Sequence, residues 1–326
     1  MTEPTPTVAD ADDALLRLAS AVRATGYRFV TVTPATHQRV NARPGNAWAR
    51  GLEDVFGWSR PFRPEVLPRG MFDLMRRAVV AVPHGEGGWR SSVRLSTLDG
   101  ELFLHSAYPT TDPDAVFFGP DTYRFAAAVA AHLEARPLPV RRAVDVGCGA
   151  GPGAIVVAKA RPSAAVLMVD INEAALRLAR INAALAGAGN AAACRSDLLS
   201  GVAGGPLDLV IANPPYLVDP AERAYRHGGG PLGAGLSLKI LDAALGRLAP
   251  GGTLLLYTGA AVVNGHDPFR AAAEERLAAD LGVGWTYREM DPDVFGEELD
   301  AAAYAEADRI AAVVLTVTRE GQQPHA

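Results

Sequence analysis

The chain has 326 residues, 49% of them apolar and 21% charged, and a formal net charge of −5. No apolar run reaches the ~18 residues of a membrane-spanning helix, so this composition excludes disordered, fibrous and helical membrane proteins and fits one or two globular domains of ~150 residues. The first 13 residues lack the basic start and apolar core of a signal peptide, and two cysteines cannot form a disulfide framework or a multi-thiolate metal site. We therefore expect a cytoplasmic protein with no membrane partner.

The first region, residues 1–112, has an irregular pattern, and we predict a small mixed α/β unit. Asp99-Gly100 lies between two strand-like runs and predicts a hairpin turn, because both positions tolerate positive φ. No element is predicted for residues 41–70, which are rich in Gly, Pro, Trp and Arg. The predicted elements are a helix over 10–24, a strand over 27–32, a helix over 71–80, and strands over 89–96 and 101–105.

Charge is unevenly distributed along the chain. Residues 14–98 contain 13 arginines and five acidic residues, whereas the chain from residue 116 onward has an acidic excess. A basic region is what phosphate binding requires, because each arginine beside a phosphate releases counterions. A solvated arginine-rich surface explains the same count, and both interpretations stay open.

After a boundary that we place at residue 112, strands and helices alternate regularly. The short strands are apolar nearly throughout, which is typical of strands buried on both faces of a mostly parallel, doubly wound sheet. We therefore predict an α/β fold for residues 113–326. The predicted strands are 143–146, 165–169, 191–194, 207–212, 252–257, 284–290 and 311–318, and the predicted helices run from Asp121 or Thr122 to about 135 and over 153–160, 173–186, 236–248 and 268–281.

The first strand of this region runs into a glycine-rich turn, Asp145-Val146-Gly147-Cys148-Gly149-Ala150-Gly151-Pro152-Gly153. Such a turn lets the backbone approach a ligand, and the helix after it points free N–H groups at the same place. On its own the turn also fits the loose dinucleotide pattern G-x-G-x-x-G/A. Cys148 is interpreted as a small residue in a tight loop.

Three acidic residues follow successive strands. Asp145 lies just before the turn, and Asp170 lies 21 residues after Gly149, where a carboxylate can accept both ribose hydroxyls of an adenosine. Asp197 follows the third strand, within reach of an adenine amine. These spacings resemble class I S-adenosylmethionine-dependent methyltransferases. The resemblance implies a Rossmann-like fold, S-adenosylmethionine as cofactor, a turn shaped by Gly147, Gly149 and Gly151, and contacts of the three acids with methionine, ribose and adenine in that order.

The fourth strand ends in Asn213-Pro214-Pro215-Tyr216. Two prolines hold the chain rigid and extended, so the Asn213 carboxamide oxygen and the Pro214 carbonyl oxygen can accept both hydrogens of a planar –NH2 group. Tyr216 offers an aromatic face for a flat amide or base. Fixed acceptors free the nitrogen lone pair and stabilise the positive charge that grows on it, so no metal and no strong base is needed.

This tetrad resembles the N-methyltransferases that act on planar nitrogen, namely the protein-glutamine methyltransferases (HemK-like) and the exocyclic-amine methyltransferases of nucleic-acid bases. The resemblance covers about residues 117–318 and implies catalytic roles for Asn213, Pro214 and Tyr216, with Asn213 also beside the cofactor and Pro215 beside the acceptor. The segment Phe117-Phe118-Gly119-Pro120-Asp121-Thr122 resembles part of the opening segment of the glutamine methyltransferases. There Thr122 corresponds to a threonine that contacts the cofactor.

Two further segments are candidates for acceptor contacts. Residues 222–233 contain Arg226 and His227 beside three glycines, which suggests a mobile cover over the acceptor or an exposed connection. The acidic stretch 289–300 lies between the last two predicted strands, where it faces the acceptor or solvent.

We expect methyl transfer to a protein glutamine or a nucleic-acid base, recognised by the first region. A small-molecule acceptor is the second interpretation, and a nicotinamide-dependent oxidoreductase or a non-catalytic adenosine-binding subunit are the others. The sequence contains no Walker loop, no G-x-S-x-G elbow and no histidine spacing typical of metal ligands.

Overall fold

The computed structural model describes residues 7–321 and begins with a small mixed region. Helix α1 starts with a capping box, in which Thr7 accepts from the Asp10 backbone, and its buried stripe confirms the predicted helix. The region contains α1 (Val8–Ala24), α2 (Pro34–Asn41), α3 (Met71–Arg77), β1 (Ala81–His84), β2 (Gly88–Ser91), β3 (Val93–Leu98) and β4 (Glu101–Ser106).

The hairpin at Asp99-Gly100 is confirmed. Leu98 pairs with Glu101 across the turn, and both turn residues have positive φ, 49° at Asp99 and 80° at Gly100. A two-residue turn of this kind matches the twist of antiparallel strands. The predicted strand over 89–96 is interrupted at Ser92 and forms two strands. Strand β2 pairs with β1, and strand β3 pairs with β4.

The predicted strand over 27–32 is wrong. Tyr27, Phe29 and Thr31 are buried while the residues between them are exposed, but Phe29 exchanges hydrogen bonds only with Thr97, and no strand forms. Burial in this segment therefore alternates with the two-residue period of a strand, although the segment forms no hydrogen-bond ladder with another strand. Helix α2 had no prediction, although Thr33 at its N-cap and Pro34 at its first position are the expected start signal.

The second region forms a seven-stranded sheet with helices on both faces. Its strands are β5 (Arg142–Val146), β6 (Ala165–Asp170), β7 (Ala191–Arg195), β8 (Leu207–Ala212), β9 (Leu248–Val263), β10 (Val283–Asp291) and β11 (Ala307–Arg319). Its helices are α4 (Pro120–Ala135), α5 (Pro152–Ala160), α6 (Glu173–Ala186), α7 (Gly235–Leu245) and α8 (Pro268–Ala278). The predicted doubly wound, mostly parallel fold is confirmed.

Strand order in the sheet is β10-β11-β9-β8-β5-β6-β7, and β11 runs opposite to the other six strands. Consecutive residues of β5 point to opposite faces: Ala143 joins the apolar cluster that contains α4, α5 and α6, and Val144 joins the cluster that contains α7 and α8. The chain leaves β5 toward β6 on one side and returns to β8 on the other. In open sheets of this kind ligands bind outside the carboxyl ends of the strands at this reversal.

Helix α4 begins earlier than predicted. Gly119 is its N-cap and Pro120 its first residue, so neither Asp121 nor Thr122 caps it; the Thr122 hydroxyl instead accepts from the Gly119 N–H at 3.2 Å. Proline at the first helical position explains the difference, because its missing N–H needs no partner there. Strand β9 is longer than predicted because it pairs with β11 from Thr253 to Val263 and with β8 already at Leu248.

The first region packs against α6, and one apolar cluster continues from Leu18 of α1 through Leu104 of β4 to Leu178 of α6. Asn182 of α6, fully buried, pairs with both backbone groups of Leu104 at 2.8 and 2.9 Å. Among residues 7–321, no helix combines the length and the hydropathy that crossing a bilayer requires.

Candidate active site

A cavity of about 640 Å³ opens at the carboxyl ends of β5, β6 and β8. It brings together most of the predicted site residues from both sides of the chain reversal. On the cofactor side these are Thr122, Asp145, Gly147, Gly149, Asp170 and Asp197. On the acceptor side they are Asn213, Pro214, Pro215, Tyr216 and Arg226.

The glycine turn forms one wall of the cavity. Gly147 and Gly149 have positive φ, 68° and 54°, and a Cβ on either would meet no atom within 4 Å, so both leave open space on the cavity side. Gly149 donates to Asp170 at 3.0 Å, which ties the turn to the end of β6. Gly151 is different: it caps α5, and a Cβ there would lie 3.0 Å from the sulfur of Met168. It is absent from the cavity lining, so its observed contact is with the core.

Asp145 is buried at the carboxyl end of β5. One of its oxygens accepts from the Ala154 N–H of α5 at 2.9 Å. Burial raises the pKa of Asp145 to about 7, against the lowering effect of that hydrogen bond. The carboxyl therefore gains a proton near neutral pH unless a positive charge lies beside it.

Asp170 accepts from two backbone N–H groups, those of Gly149 and of Asn172 at 2.9 Å, and burial raises its pKa. Asp197 is exposed on the same wall. Ile171, which follows Asp170, lines the cavity with 53% of its surface exposed. Sequence reasoning missed Ile171, although an apolar residue directly after a strand-end acid is a readable signal for an apolar contact with a ligand.

These residues fit S-adenosylmethionine. Carboxylates suit the hydroxyl, ammonium and adenine amine groups of this molecule, the exposed Ile171 suits a flat ring, and the glycine turn leaves room that a Cβ would fill. When bound, S-adenosylmethionine supplies a methyl group made electrophilic by its sulfonium.

Asn213 and Pro214 follow directly after β8, the strand next to β5. Within residues 7–321, neither the Asn213 carboxamide nor the Pro214 carbonyl has a hydrogen-bond partner in the protein, and both residues line the cavity. The double proline explains this, since it supplies no N–H and cannot continue the ladder of β8. Two acceptor oxygens therefore stay available beside the cavity.

Tyr216 is 6% exposed and packs tightly under the acceptor side. Its ring lies against Gly259 of β9, where a Cβ would come within 2.2 Å of the ring, and Phe295 meets it edge-on with centroids 5.9 Å apart. Its hydroxyl is buried without a hydrogen-bond partner in the described chain. The predicted stacking of Tyr216 on an acceptor stays a prediction.

Asp121 also lines the cavity, and sequence reasoning considered it only as a helix cap. It is 5% exposed and accepts from the Tyr257 hydroxyl at 2.6 Å and from Arg124 at 3.2 Å. Arg124 in turn donates to Asp291 at 2.6 Å. No local signal points to this cluster, because its members come from α4, β9 and β10.

The segment after the tetrad lines part of the cavity and is held in place by hydrogen bonds and ion pairs. The Tyr225 hydroxyl donates to the Thr110 carbonyl at 2.7 Å. Arg226 lines the cavity and pairs with Glu298 and, at 3.6 Å, with Asp219. His227 lies outside the lining, and its Nδ1 accepts from the Asp219 N–H at 3.1 Å.

The acidic stretch begins in the last residues of β10 and continues into the connection to β11, and Phe295, Glu297 and Glu298 line the cavity. Cys148 is buried, and burial raises the pKa of its thiol well above the ordinary value, in keeping with a packing role. In the part of the chain that the structure describes, no three His, Cys, Asp or Glu side chains are grouped as metal ligands.

The strand order, the glycine turn and the strand-end acids together define a class I S-adenosylmethionine-dependent methyltransferase. The family described as methyltransferase small domain matches residues 121–279. A release factor glutamine methyltransferase of Deinococcus radiodurans is 34% identical over 220 residues, which cover 63% of this chain and 72% of that protein. The chain belongs to this family of HemK-like methyltransferases, and it is an S-adenosylmethionine-dependent enzyme.

Two further similarities accompany this match. A ribosomal protein uL3 glutamine methyltransferase of Xanthomonas campestris is 37% identical over 130 residues, which cover 37% of this chain and 42% of that protein. A solved S-adenosylmethionine-dependent methyltransferase from Agrobacterium tumefaciens aligns over 78% of this chain and 80% of its own, with 17% identity and a TM-score of 0.47.

Proposed function

We propose that the enzyme transfers a methyl group to the side-chain amide nitrogen of a glutamine in a protein. The observation that carries this proposal is the pair of unpartnered oxygens on Asn213 and Pro214, two residues that line the same cavity as the glycine turn and the strand-end acids. The relatives that methylate glutamine in release factors and in ribosomal protein uL3 support the same acceptor chemistry.

The charge of the cavity favours a protein acceptor over a nucleic-acid base. Its lining includes two cations, Arg223 and Arg226, and both pair with Asp219. None of the arginines between residues 14 and 98 belongs to the lining. Phosphates beside an extruded base need free cations at the mouth of a site, whereas a peptide carrying a neutral amide does not.

Asn213 and Pro214 would each accept one hydrogen of the glutamine –NH2. This arrangement weakens the conjugation of the nitrogen lone pair with the amide carbonyl and holds the nitrogen in line with the methyl group. As the new N–C bond forms, positive charge grows on nitrogen, and the two fixed oxygens stabilise that charge more than the ground state.

The first region, residues 1–112, would recognise the protein around the glutamine. Its residues Ala35 and Gln38 of α2, together with Tyr108, form part of the cavity wall. This placement puts residues of the first region in the same cavity as the tetrad. It supports a role in acceptor recognition that the arginine count alone does not.

Labelled-methyl transfer into a cell extract tests the acceptor class. The extract is separated into protein, nucleic-acid and small-molecule fractions, and labelled protein is digested and analysed for N-methylglutamine. We expect the label in protein, on glutamine. Label confined to nucleic acid or to small molecules would contradict the proposal and favour the corresponding alternative.

Asn213→Ala tests the acceptor oxygens. Loss of one fixed acceptor in the transition state should lower kcat at least about 100-fold, while the Kd for S-adenosylmethionine, measured by calorimetry, changes little. Asp197→Asn is the matched contrast, since it should raise that Kd and leave the rate at saturating cofactor near wild type. Wild-type kcat in Asn213→Ala would refute the assigned role.

A further inference from the structure

Three glycines from separate parts of the second region pack against the tetrad. Gly228 lies in the segment after the tetrad, Gly233 lies just before α7, and Gly259 lies toward the carboxyl end of β9. All three are buried, and none of them belongs to the cavity lining in the described part of the chain. Any effect of these glycines on the reaction therefore passes through the tetrad.

No side chain fits at these three positions. A Cβ on Gly259 would overlap the ring of Tyr216. A Cβ on Gly228 would lie 2.7 Å from the Tyr216 Cα and 2.8 Å from the Pro215 carbonyl oxygen. A Cβ on Gly233 would lie 2.7 Å from the carbonyl carbon of Tyr216. Glycine permits this close approach of backbone to neighbouring atoms, so the three residues surround Tyr216 at distances that no other residue allows.

Space, rather than backbone conformation, requires glycine at two of these positions. Neither Gly228 nor Gly259 has a φ in the left-handed region, so the sign of φ does not demand glycine there. Gly233 has a φ of 80°, which favours glycine by itself. Substitutions of Gly228 and Gly259 therefore report on contact with the tetrad, whereas a substitution of Gly233 would also strain the backbone.

Gly228 is fixed by hydrogen bonds, although it is the first of the three glycines that suggested a mobile cover. Its N–H donates to the Leu217 carbonyl at 2.8 Å, and its carbonyl accepts from the Leu236 N–H at 2.7 Å. The first bond ties Gly228 to the residue after the tetrad, and the second ties it to α7. Gly228 therefore cannot move away from the tetrad without breaking both bonds.

The two prolines transmit the position of Tyr216 to the acceptor oxygens. Pro214 and Pro215 each have a fixed φ, and a residue that precedes proline is restricted to extended geometry. The chain from Asn213 to Tyr216 can therefore absorb little of a displacement, and a shift of Tyr216 moves the Pro214 carbonyl with it. A misplacement of about 1 Å is enough to slow a reaction about 100-fold.

We propose that Gly228, Gly233 and Gly259 are positioning residues for methyl transfer, which act by holding Tyr216 in place and so fixing the two acceptor oxygens of the tetrad. The inference rests on the proposed function, because those oxygens are its target. A methyl group on any of the three glycines displaces Tyr216. The displacement lowers the rate of the chemical step and leaves the binding of S-adenosylmethionine nearly unchanged.

The test compares Gly228→Ala and Gly259→Ala with wild type in the full chain at saturating S-adenosylmethionine. The rate of N-methylglutamine formation is measured in the protein fraction of a cell extract, whose concentration is raised until the rate is constant. The stoichiometry of S-adenosylmethionine binding in calorimetry gives the amount of folded enzyme. We expect the constant rate per folded molecule to fall on the order of 10- to 100-fold, with the Kd within about threefold of wild type.

Gly252→Ala is the matched control. Gly252 is buried near the start of the same strand and has no left-handed φ, and a Cβ there would lie 2.5 Å from the Leu207 carbonyl oxygen of β8. This variant should lower the Tm as Gly259→Ala does, because both force a methyl group into a packed sheet. Its rate per folded molecule should stay within about threefold of wild type, since it does not touch the tetrad.

If Gly259→Ala does not fold, Gly228→Ala decides, because Gly228 lies in a loop rather than in the sheet. Wild-type rates in the glycine variants that fold would overturn the inference, as would an equal loss of rate in Gly252→Ala. No N-methylglutamine from the wild type counts against the proposed function. Normal wild-type activity with unchanged rates in Gly228→Ala and Gly259→Ala counts against the role of the glycines alone.

Discussion

Asp145 and Asp170 end neighbouring parallel strands, but the protein treats the two carboxylates differently. Asp170 accepts from the N–H groups of Gly149 and Asn172, whereas Asp145 has one backbone donor, Ala154. Burial raises the pKa of both groups, and it brings that of Asp145 to about 7. Hydrogen bonds to the charged form oppose the effect of burial, and Asp145 has fewer of them, so we use Asp145 to test how ionisation of a buried carboxyl group destabilises the fold.

This difference predicts how stability depends on pH. The pKa of Asp145 lies above its unfolded value, so the folded state binds the extra proton and the free energy of unfolding falls as pH rises from about 4 to about 7. The contribution is about 4 kcal/mol at most. Urea unfolding of wild type and Asp145→Asn at pH 5 and pH 8 measures this contribution. An equal change in the free energy of unfolding between the two pH values in both proteins would contradict the assignment.

Helix α6 joins three parts of the molecule through one side chain. Besides both backbone groups of Leu104 in the first region, Asn182 bonds the Ala150 carbonyl in the glycine turn at 2.9 Å. Each of these backbone groups is remote from solvent, and a buried polar group without a partner destabilises a fold. Helix α6 thereby fixes the position of the glycine turn relative to the first region.

Asn182→Ala should lower the free energy of unfolding by about 3 kcal/mol or more, because it leaves several buried groups unpaired. It should also weaken binding of S-adenosylmethionine, since the glycine turn loses a support. Asn190→Ala is the matched control: Asn190 bonds three carbonyls, those of Ala158, Arg161 and Ala164, away from the cavity. Calorimetry should show a changed cofactor Kd for the first variant only; equal Kd values would refute the proposed support.

At the scale of the whole molecule, the cavity has walls from both regions of the chain. The glycine turn and the tetrad belong to the sheet, whereas Ala35, Gln38 and Tyr108 belong to the first region. The two regions share one apolar cluster around α6, and ion pairs such as Arg177 with Asp12 at 2.5 Å cross between them. Because of this packing, the positions of the first-region residues in the cavity depend on contacts with the second region.

Removal of residues 1–112 should therefore prevent a stable monomer. The fragment 113–326 would expose the apolar face of α6, including Leu178 and Ile181, to water. We expect aggregation or a strongly lowered Tm, measured by sedimentation and circular dichroism beside the full chain. A monomeric fragment with the Tm of the full chain would show that the sheet does not need the first region.

Local patterns were sufficient for the fold class, the order of strands and helices along the second region, the glycine turn and the tetrad. These signals act over a few residues: glycines permit positive φ, two prolines end a ladder, and strands buried on both faces read as apolar runs. The same locality misled at residues 27–32, where alternating burial had no strand partner, and at α4, where the proline moved the start of the helix.

The sequence by itself determined that the glycine turn, the strand-end acids and the tetrad would lie at one edge of a parallel sheet, because carboxyl ends of parallel strands lie together. Only the tertiary structure decided which other groups stand there. Asp121 meets Tyr257 across 136 residues of chain and Asn182 meets Leu104 across 78, and no periodicity encodes such pairs. They arise from the packing of whole elements, which places polar groups where burial forces each of them to find a partner.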